Sequence, residues 1–453
     1  MDFIERFRAA MRIPTWWQPG ALQGNSAAEA PLLRFQEFLA ENYPAFHLAA
    51  ERHILSPYSV IYRWPCADGA VNNKGGGNAS CNTAVLILAH YDVVPAETEK
   101  WSVDPFGAEM KDGFVYGRGS LDMKSVLVSI MEAAEMLCAT GFKPKRDVWF
   151  AFGGDEERTG ILGAANTAKW FADRGRRFSW ILDEGTPVAV NQIKGIDKPV
   201  ALVSIEEKGF LSLELCVAQE PGHASMPPEI QAAAVLARAL CRIAARPFPF
   251  ELIPTVESFF AQIASLMRGI HGFVMRHARG LGPLFFKAAA SNPAITAMLR
   301  TTVAMTQLSG SAADNVMPSE VRAVINLRLL RSWTIEKAIT FIKKAVNNER
   351  VQIKIHGLGT EPVAANPDYE RSGWQEIKTA LAEVYPGVPM LPFLMTATTD
   401  SRHFKELADG IFRFTPHKLD PKEMSGVHGH NERISLENLK RGLQFYFRLL
   451  GVL

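Results

Sequence analysis

The sequence predicts an α/β protein: a mostly parallel sheet with helices on both faces, interrupted by an inserted α+β domain with an antiparallel, ferredoxin-like sheet. Three observations predict it. Short apolar runs at 84–89, 147–153 and 179–182 each end in acids or a histidine. Such runs fit the buried strands of a parallel sheet. Between the first two, Val126, Ile130, Ala133, Ala134 and Leu137 repeat at helical spacing over 124–138, giving strand–helix–strand alternation. After residue 204 the pattern changes: 210–218, 320–330 and 351–356 alternate with period two, while 230–243 and 334–346 are helical. At 453 residues the chain exceeds one ordinary core. Residues 1–204 and 358–453 therefore read as one domain and 205–357 as its insert, with an extra helical insertion at about 250–306.

Taken in order, 30–42 reads as an amphipathic helix and 58–64 as an alternating strand. Residues 72–80, with Gly75, Gly76 and Gly77, form a turn without the Gly-Lys-Ser/Thr ending of a phosphate loop. The loop 101–113 is long enough to shape a site. Asp122 precedes the helix 124–138, where a carboxylate is favoured by the helix dipole. The apolar helical stretch 255–306 is broken at Gly280, Gly282 and Pro283. Beyond it come a helix at 372–385, strands at 390–395 and 410–414, a histidine-rich loop at 424–431 and a closing helix at 435–450.

Composition is ordinary for a soluble globular protein, 47% hydrophobic and 21% charged. A net charge of +2 gives no reason to invoke nucleic acid or an anionic membrane as partner. Five scattered cysteines without a CxxC argue for reduced thiols. Charges near Met1, where a signal peptide needs an apolar core, complete the expectation of a cytoplasmic protein. No run approaches the roughly 18 apolar residues of a membrane span.

The chemistry concentrates at strand ends. In an open α/β sheet, ligands bind at the carboxyl ends of strands. There the chain offers His90, Asp92, Asp122, Glu156, Glu157, Asp183 and Glu184, with His428 and His430 in the late loop. So many ionisable groups on one rim repel one another unless something cationic binds among them. Histidines mixed with carboxylates suit Zn²⁺, with Co²⁺ or Mn²⁺ as alternatives. Successive strand residues face opposite ways, so either Asp183 or Glu184 could be the ligand.

Five stretches, in order, resemble the M20 family of di-zinc metallopeptidases, in its carboxypeptidase S/PM20D1 branch. They are His90-Tyr91-Asp92-Val93-Val94-Pro95, Gly117-Arg118-Gly119-Ser120-Leu121-Asp122-Met123-Lys124, Gly154-Asp155-Glu156-Glu157, Asp183-Glu184-Gly185 and Gly426-Val427-His428-Gly429-His430-Asn431-Glu432. The resemblance implies two metal ions, with Asp122 bridging, His90 and Asp183 completing one, and Glu157 and His428 the other. It implies Glu156 as general base and Asp92 as the group that steers His90. It makes the insert a lid and dimerisation domain, and so a homodimer. There His223, within 221–227, would help hold the oxyanion, in many members from a partner subunit. Asn315, Arg328 and Arg402 match positions that hold the substrate carboxylate; an Arg fork suits that task. The apolar stretch 255–306 resembles the branch's insertion, as core and subunit contact or as a groove for an acyl chain.

The expected function is hydrolysis of the amide bond to a C-terminal amino acid, in a small peptide or an N-acyl amino acid. Two alternatives stand beside it: an N-fatty-acyl-amino-acid synthase/hydrolase, and a metal-binding protein without catalysis.

Overall fold

The computed structural model describes residues 1–16, 26–67, 84–193, 195–371 and 373–453. The turn expected at 72–80 lies outside them. The chain forms two units, Met1–Ile205 with Ala365–Phe393 and Thr399–Leu453, and Glu206–Ala364 with Leu394–Thr398.

The large sheet has eight strands, and its centre is parallel. Val85–His90 pairs in parallel with Val148–Gly153 and with Trp180–Ala189, which pairs in parallel with Ile411–Leu419. Antiparallel strands flank this centre: Ser59–Trp64 lies against Val148–Gly153, and Val200–Glu207 touches Trp180–Ala189 and Ile411–Leu419. The strands Val85–His90 and Val148–Gly153 are buried at every position, which is why their sequences run apolar instead of alternating. One face carries Ile87, Phe150, Leu182, Phe412 and Phe414 into a cluster with Val126, Ile130 and Phe445 of the helices Lys124–Ala139 and Leu436–Val452. The opposite face sends Leu86, Leu88, Trp149 and Ile181 against Phe171 and Phe404. Each fully buried side chain of this size contributes about 1.5–3 kcal/mol.

Two strands run further than their apolar runs suggest. Trp180–Ala189 continues through Asp183 and Glu184, and Ile411–Leu419 passes its expected end at 414. Asp183 and Glu184 therefore lie within a strand, on opposite faces, not in a loop after it.

The second unit has a four-stranded antiparallel sheet in the order Thr302–Ser309, Glu320–Leu329, Gly209–Ala218, Gln352–Ile355. The helices Ala232–Ala245 and Ile335–Val346 cover it through Val235, Leu236, Ala239, Ala338 and Ile342. The stretch read as helical over 255–306 is five helices between Pro254 and Leu299, followed by the edge strand Thr302–Ser309. That strand is mostly exposed, so its sequence carries little periodic signal. Phe259, Phe260 and Phe285 are core, while Phe273 faces solvent.

A pair of buried charges holds both ends of this helical insertion. Glu206, fully buried, accepts a hydrogen bond from Thr255 Oγ1 at 2.5 Å, in the first turn of Pro254–Ala264. Lys208 Nζ donates to the carbonyls of Ala297 and Arg300 at 2.8 Å each, at the end of Pro293–Leu299. An acid at a helix start and a cation at a helix end are the favourable combinations. Burial, helped by the charge of Arg328, pulls Lys208 down to about 7. Among the described residues no helix is long and apolar enough to cross a membrane.

Candidate metal centre

His90 ends its strand level with Gly153 of the neighbouring one, so both strands open on the same rim. Its ring is fixed on two sides. Nδ1 lies 3.0 Å from the carbonyl of Asp92 and 3.4 Å from Asp92 Oδ1. Nε2 lies 3.0 Å from Asp122 Oδ1 and 3.5 Å from Glu184 Oε1. The other oxygen of Asp122 is 3.0 Å from His428 Nε2, which is 3.1 Å from Glu157 Oε1. One carboxylate thus stands between two imidazoles, offering an oxygen to each, and each imidazole has a further glutamate beside it. Ligand atoms of His90, Asp122 and Glu157 lie within 4.8 Å of one another, as do those of His90, Glu156 and Glu184. The peptide bond Asp122–Met123 is cis.

Asp92 does more than steer a ring. Its Oδ1 accepts the amide of Glu156 and its Oδ2 the amide of Glu157, both at 3.1 Å. A single buried carboxylate therefore holds His90 and the turn that carries Glu156 and Glu157.

Asp183, expected among the ligands, is turned away. Its two oxygens accept the amides of Glu184 and Ser401, both at 2.8 Å, and it is buried. Glu184 reaches His90 instead. The physical reason is the strand: only one of two successive side chains can face the rim, and the Ser401 amide supplies a partner on the other face.

Arg402, expected to hold the substrate carboxylate, lies beside Glu156, the expected base. It donates to the carbonyls of Thr399 at 2.6 Å and Thr159 at 2.7 Å, and Nη1 is 3.6 Å from Glu156 Oε1. Its guanidinium is thus built into the wall beside Glu156. His430 points elsewhere, 4.0 Å from Glu97.

The electrostatics are those of a site that needs positive charge. Burial pushes Glu156 and Glu184 well above the usual carboxylate range, with neighbouring acids adding to it. Burial also raises Glu157, helped by the charge of Asp122. Hydrogen bonds to Asp122 and Glu157 lift His428 to about 10. Burial works against a charged His90, but the charge of Glu184 and the hydrogen bonds of Asp122 and Asp92 outweigh it and hold His90 well above its ordinary value. Two imidazoles and four converging carboxylates fit hard or borderline divalent cations that take the place of those protons.

Residues that the motifs contained but that drew no role turn out to build the floor. Glu432 is fully buried. It accepts the amides of Leu121 at 2.7 Å, Gly119 at 3.1 Å and Asp122 at 3.3 Å. Arg118 Nη1 binds Glu432 at 2.6 Å, and Nη2 reaches the carbonyl of His428 at 3.2 Å. This pair ties the Asp122 loop to the His428 loop. Lys124, fully buried, donates to Ile13 O at 2.6 Å and Ala10 O at 3.3 Å.

The remaining expected residues lie in the second unit. His223 is exposed on Gly222–His223, which pairs with Val316–Met317. The Asn315 carbonyl accepts the amide of Ala224 at 3.0 Å, so Asn315 and the His223 loop share one short ribbon. Arg328 Nε binds Asn326 Oδ1 at 3.2 Å, and its guanidinium lies 4.9 Å from the centre of the Phe210 ring.

Comparison with known proteins agrees with this geometry. The sequence profile of Peptidase family M20/M25/M40 matches residues 86–451. The N-fatty-acyl-amino acid synthase/hydrolase PM20D1 of Xenopus tropicalis is 31% identical over 453 residues, covering 99% of this chain and 85% of the relative. The probable carboxypeptidase S-like 2 of Dictyostelium discoideum is 31% identical over 425 residues, 93% of this chain and 79% of the relative. Among solved structures, an M20 family metallo-carboxypeptidase of Sulfolobus solfataricus superposes with a TM-score of 0.70 at 17% identity, covering 100% of this chain and 99% of the other. Human carnosine dipeptidase 1 gives 0.68 at 15%, covering 99% and 95%.

Proposed function

This chain belongs to peptidase family M20/M25/M40, whose members are metal-dependent hydrolases of amide bonds, and from that premise we propose how its residues divide the work. Two divalent cations, Zn²⁺ with Co²⁺ or Mn²⁺ as alternatives, would be held by His90, Asp122 and Glu184 on one side and by Asp122, Glu157 and His428 on the other. Glu184 takes the place first expected for Asp183. When bound, such a pair lowers the pKa of a water and polarises the scissile carbonyl. The observation that carries the reading is the Asp122 carboxylate, 3.0 Å from His90 through one oxygen and 3.0 Å from His428 through the other.

Glu156 is the general base. Its carboxylate takes a proton from the attacking water and returns it to the leaving nitrogen. Asp92 fixes the backbone of that base through the Glu156 amide and so sets where the carboxylate sits. Arg402, 3.6 Å from Glu156 Oε1, holds the base in orientation in addition to the substrate contact first expected of it. His223, Asn315 and Arg328, all within the second unit, keep the roles first expected of them, His223 toward an oxyanion and the other two toward a substrate carboxylate. A homodimer through this unit would let one copy lend His223 to another. The scattered cysteines fit a reducing, cytoplasmic setting.

The substrate class is a small peptide cleaved at its C-terminal bond, or an N-acyl amino acid. Carboxypeptidase S-like and PM20D1 relatives at equal identity favour both groups, and the second also brings the reverse, condensing direction. Side-by-side turnover of dipeptides and fatty-acyl amino acids separates them; cleavage of dipeptides alone would end the lipid reading. Catalysis itself is tested by Glu156→Gln. That variant should bind its full complement of metal while kcat falls by about 10²–10⁴-fold. Unchanged turnover would remove Glu156 from the mechanism. A metal-loaded wild type inert on both panels would leave a binding protein.

A further inference from the structure

The whole-chain charge of +2 conceals a strongly uneven distribution. Residues 258–313 contain no aspartate or glutamate, yet carry Arg268, Arg276, Arg279, Lys287 and Arg300. Four of these five cations fall between 268 and 287, on or beside the helices Gly269–Arg276, Ala278–Leu281 and Pro283–Ala289. Large apolar side chains stand exposed among them. Ile270 is 66% exposed, Phe273 54% and Leu284 73%. Ile270 and Phe273 are one helical turn apart and so share a face, while Arg268, Arg276 and Lys287 are themselves exposed. Arg279 is the exception, since it pairs with Glu257 at 2.5 Å.

Water gives apolar side chains at this exposure nothing to gain, and clustered exposed apolar residues mark an interaction site. Arg268, Arg276 and Lys287, exposed and with no ion pair among the described contacts, select a partner with negative charge. Short helices that combine exposed Phe, Leu or Ile with Arg and Lys are the interfacial type: they lie in a headgroup layer with apolar side chains dipping toward the acyl region. From this combination we propose that the segment 268–287 docks the protein on an anionic lipid surface. The apolar side chains insert and Arg268, Arg276 and Lys287 meet lipid phosphates. The buried anchors Glu206 and Lys208 hold the insertion at its ends and leave its middle outward. Docking would not require a membrane span, and none is present among the described helices.

The test is flotation of the full metal-loaded chain with equimolar phosphatidylcholine–phosphatidylglycerol vesicles, against phosphatidylcholine alone. Binding is expected only to the anionic vesicles, and should fall as salt rises. Arg268→Gln and Lys287→Gln should each weaken it about fivefold. The double substitution of Phe273→Ser and Leu284→Ser should weaken it at low salt too, with hydrolysis of a short soluble substrate unchanged. Absence of vesicle binding, equal binding to both compositions, or variants that float like the wild type would each overturn the proposal. So would a concentration-dependent dimer abolished by Leu284→Ser, which would make the patch a contact between copies.

Discussion

Both units bury charge, and they do so for opposite purposes. In the second unit two buried charges are answered locally: Glu206 by Thr255 at a helix start, Lys208 by two carbonyls at a helix end. In the first unit the backbone answers only the outer layer. Asp92 takes two amides, Asp183 two and Glu432 three. The inner layer of Asp122, Glu156, Glu157 and Glu184 is left converging, with two histidines as its only cationic partners besides Arg402 among the described contacts. A fold whose charges are satisfied in place is an anchor; one that satisfies the supports and leaves the tips convergent is a site for a cation. That difference separates structural acids from functional ones more sharply than burial, which both share.

Substitutions can break this contrast. The largest effect is expected at Glu432→Ala, which leaves the buried Arg118 without its partner and three amides unbound. Loss of one member of a buried pair costs about 3–5 kcal/mol. Chemical denaturation should show it, together with weakened metal retention, since the same pair joins the Asp122 and His428 loops. Asp92→Asn is next: it keeps the shape but weakens the hold on His90, Glu156 and Glu157. Metal affinity measured by competition should drop about 10–100-fold. A wild-type affinity there would show that Asp92 acts elsewhere.

Lys208→Met sharpens the comparison from the other side. It removes two hydrogen bonds and should cost about 2 kcal/mol of stability above about pH 10.5, where the amine is uncharged whether the chain is folded or not, a cost that shrinks as the pH falls, without changing metal content. Its pH dependence has a definite sign. The folded amine sits at about 7 against an ordinary 10.5, so between those values the unfolded chain binds more protons. Stability of the wild type should therefore rise with pH across that window, by about 1.4 kcal/mol per unit at most, and the variant should lose this slope. The smallest effect near neutrality is at His417. It is fully buried, and burial lowers it to about 3 from 6.5. The unfolded chain binds the extra proton below about 6.5, so stability falls on acidification toward 3. His417→Leu should flatten that acid limb in thermal melts at pH 4 to 6.

Much of the catalytic unit could be read from residue order. The strands Val85–His90 and Val148–Gly153 are buried at every position because both faces are covered, and the polar residues at or just past their ends, His90 and Glu156, are what converge on the rim. The choice between Asp183 and Glu184 could not be read, because it depends on which face of the strand the Ser401 amide occupies. Glu432 was equally hidden: nothing near it in sequence shows that its partners are the amides of Gly119, Leu121 and Asp122. The edge strand Thr302–Ser309 was lost in an apolar stretch because exposure at most of its positions, on both sides, leaves no alternation to find. That Arg402 also stands 3.6 Å from Glu156 of the chain itself could not be read, because the two are distant in sequence.

The most direct measurement is metal content per chain, after equilibration with buffered Zn²⁺, for the wild type, Glu184→Gln and Asp183→Asn. Two ions in the wild type, a loss of one from Glu184→Gln and retention of both in Asp183→Asn would bear out a pair of cations bridged by Asp122. A single ion in the wild type, or a loss from Asp183→Asn with none from Glu184→Gln, would contradict it.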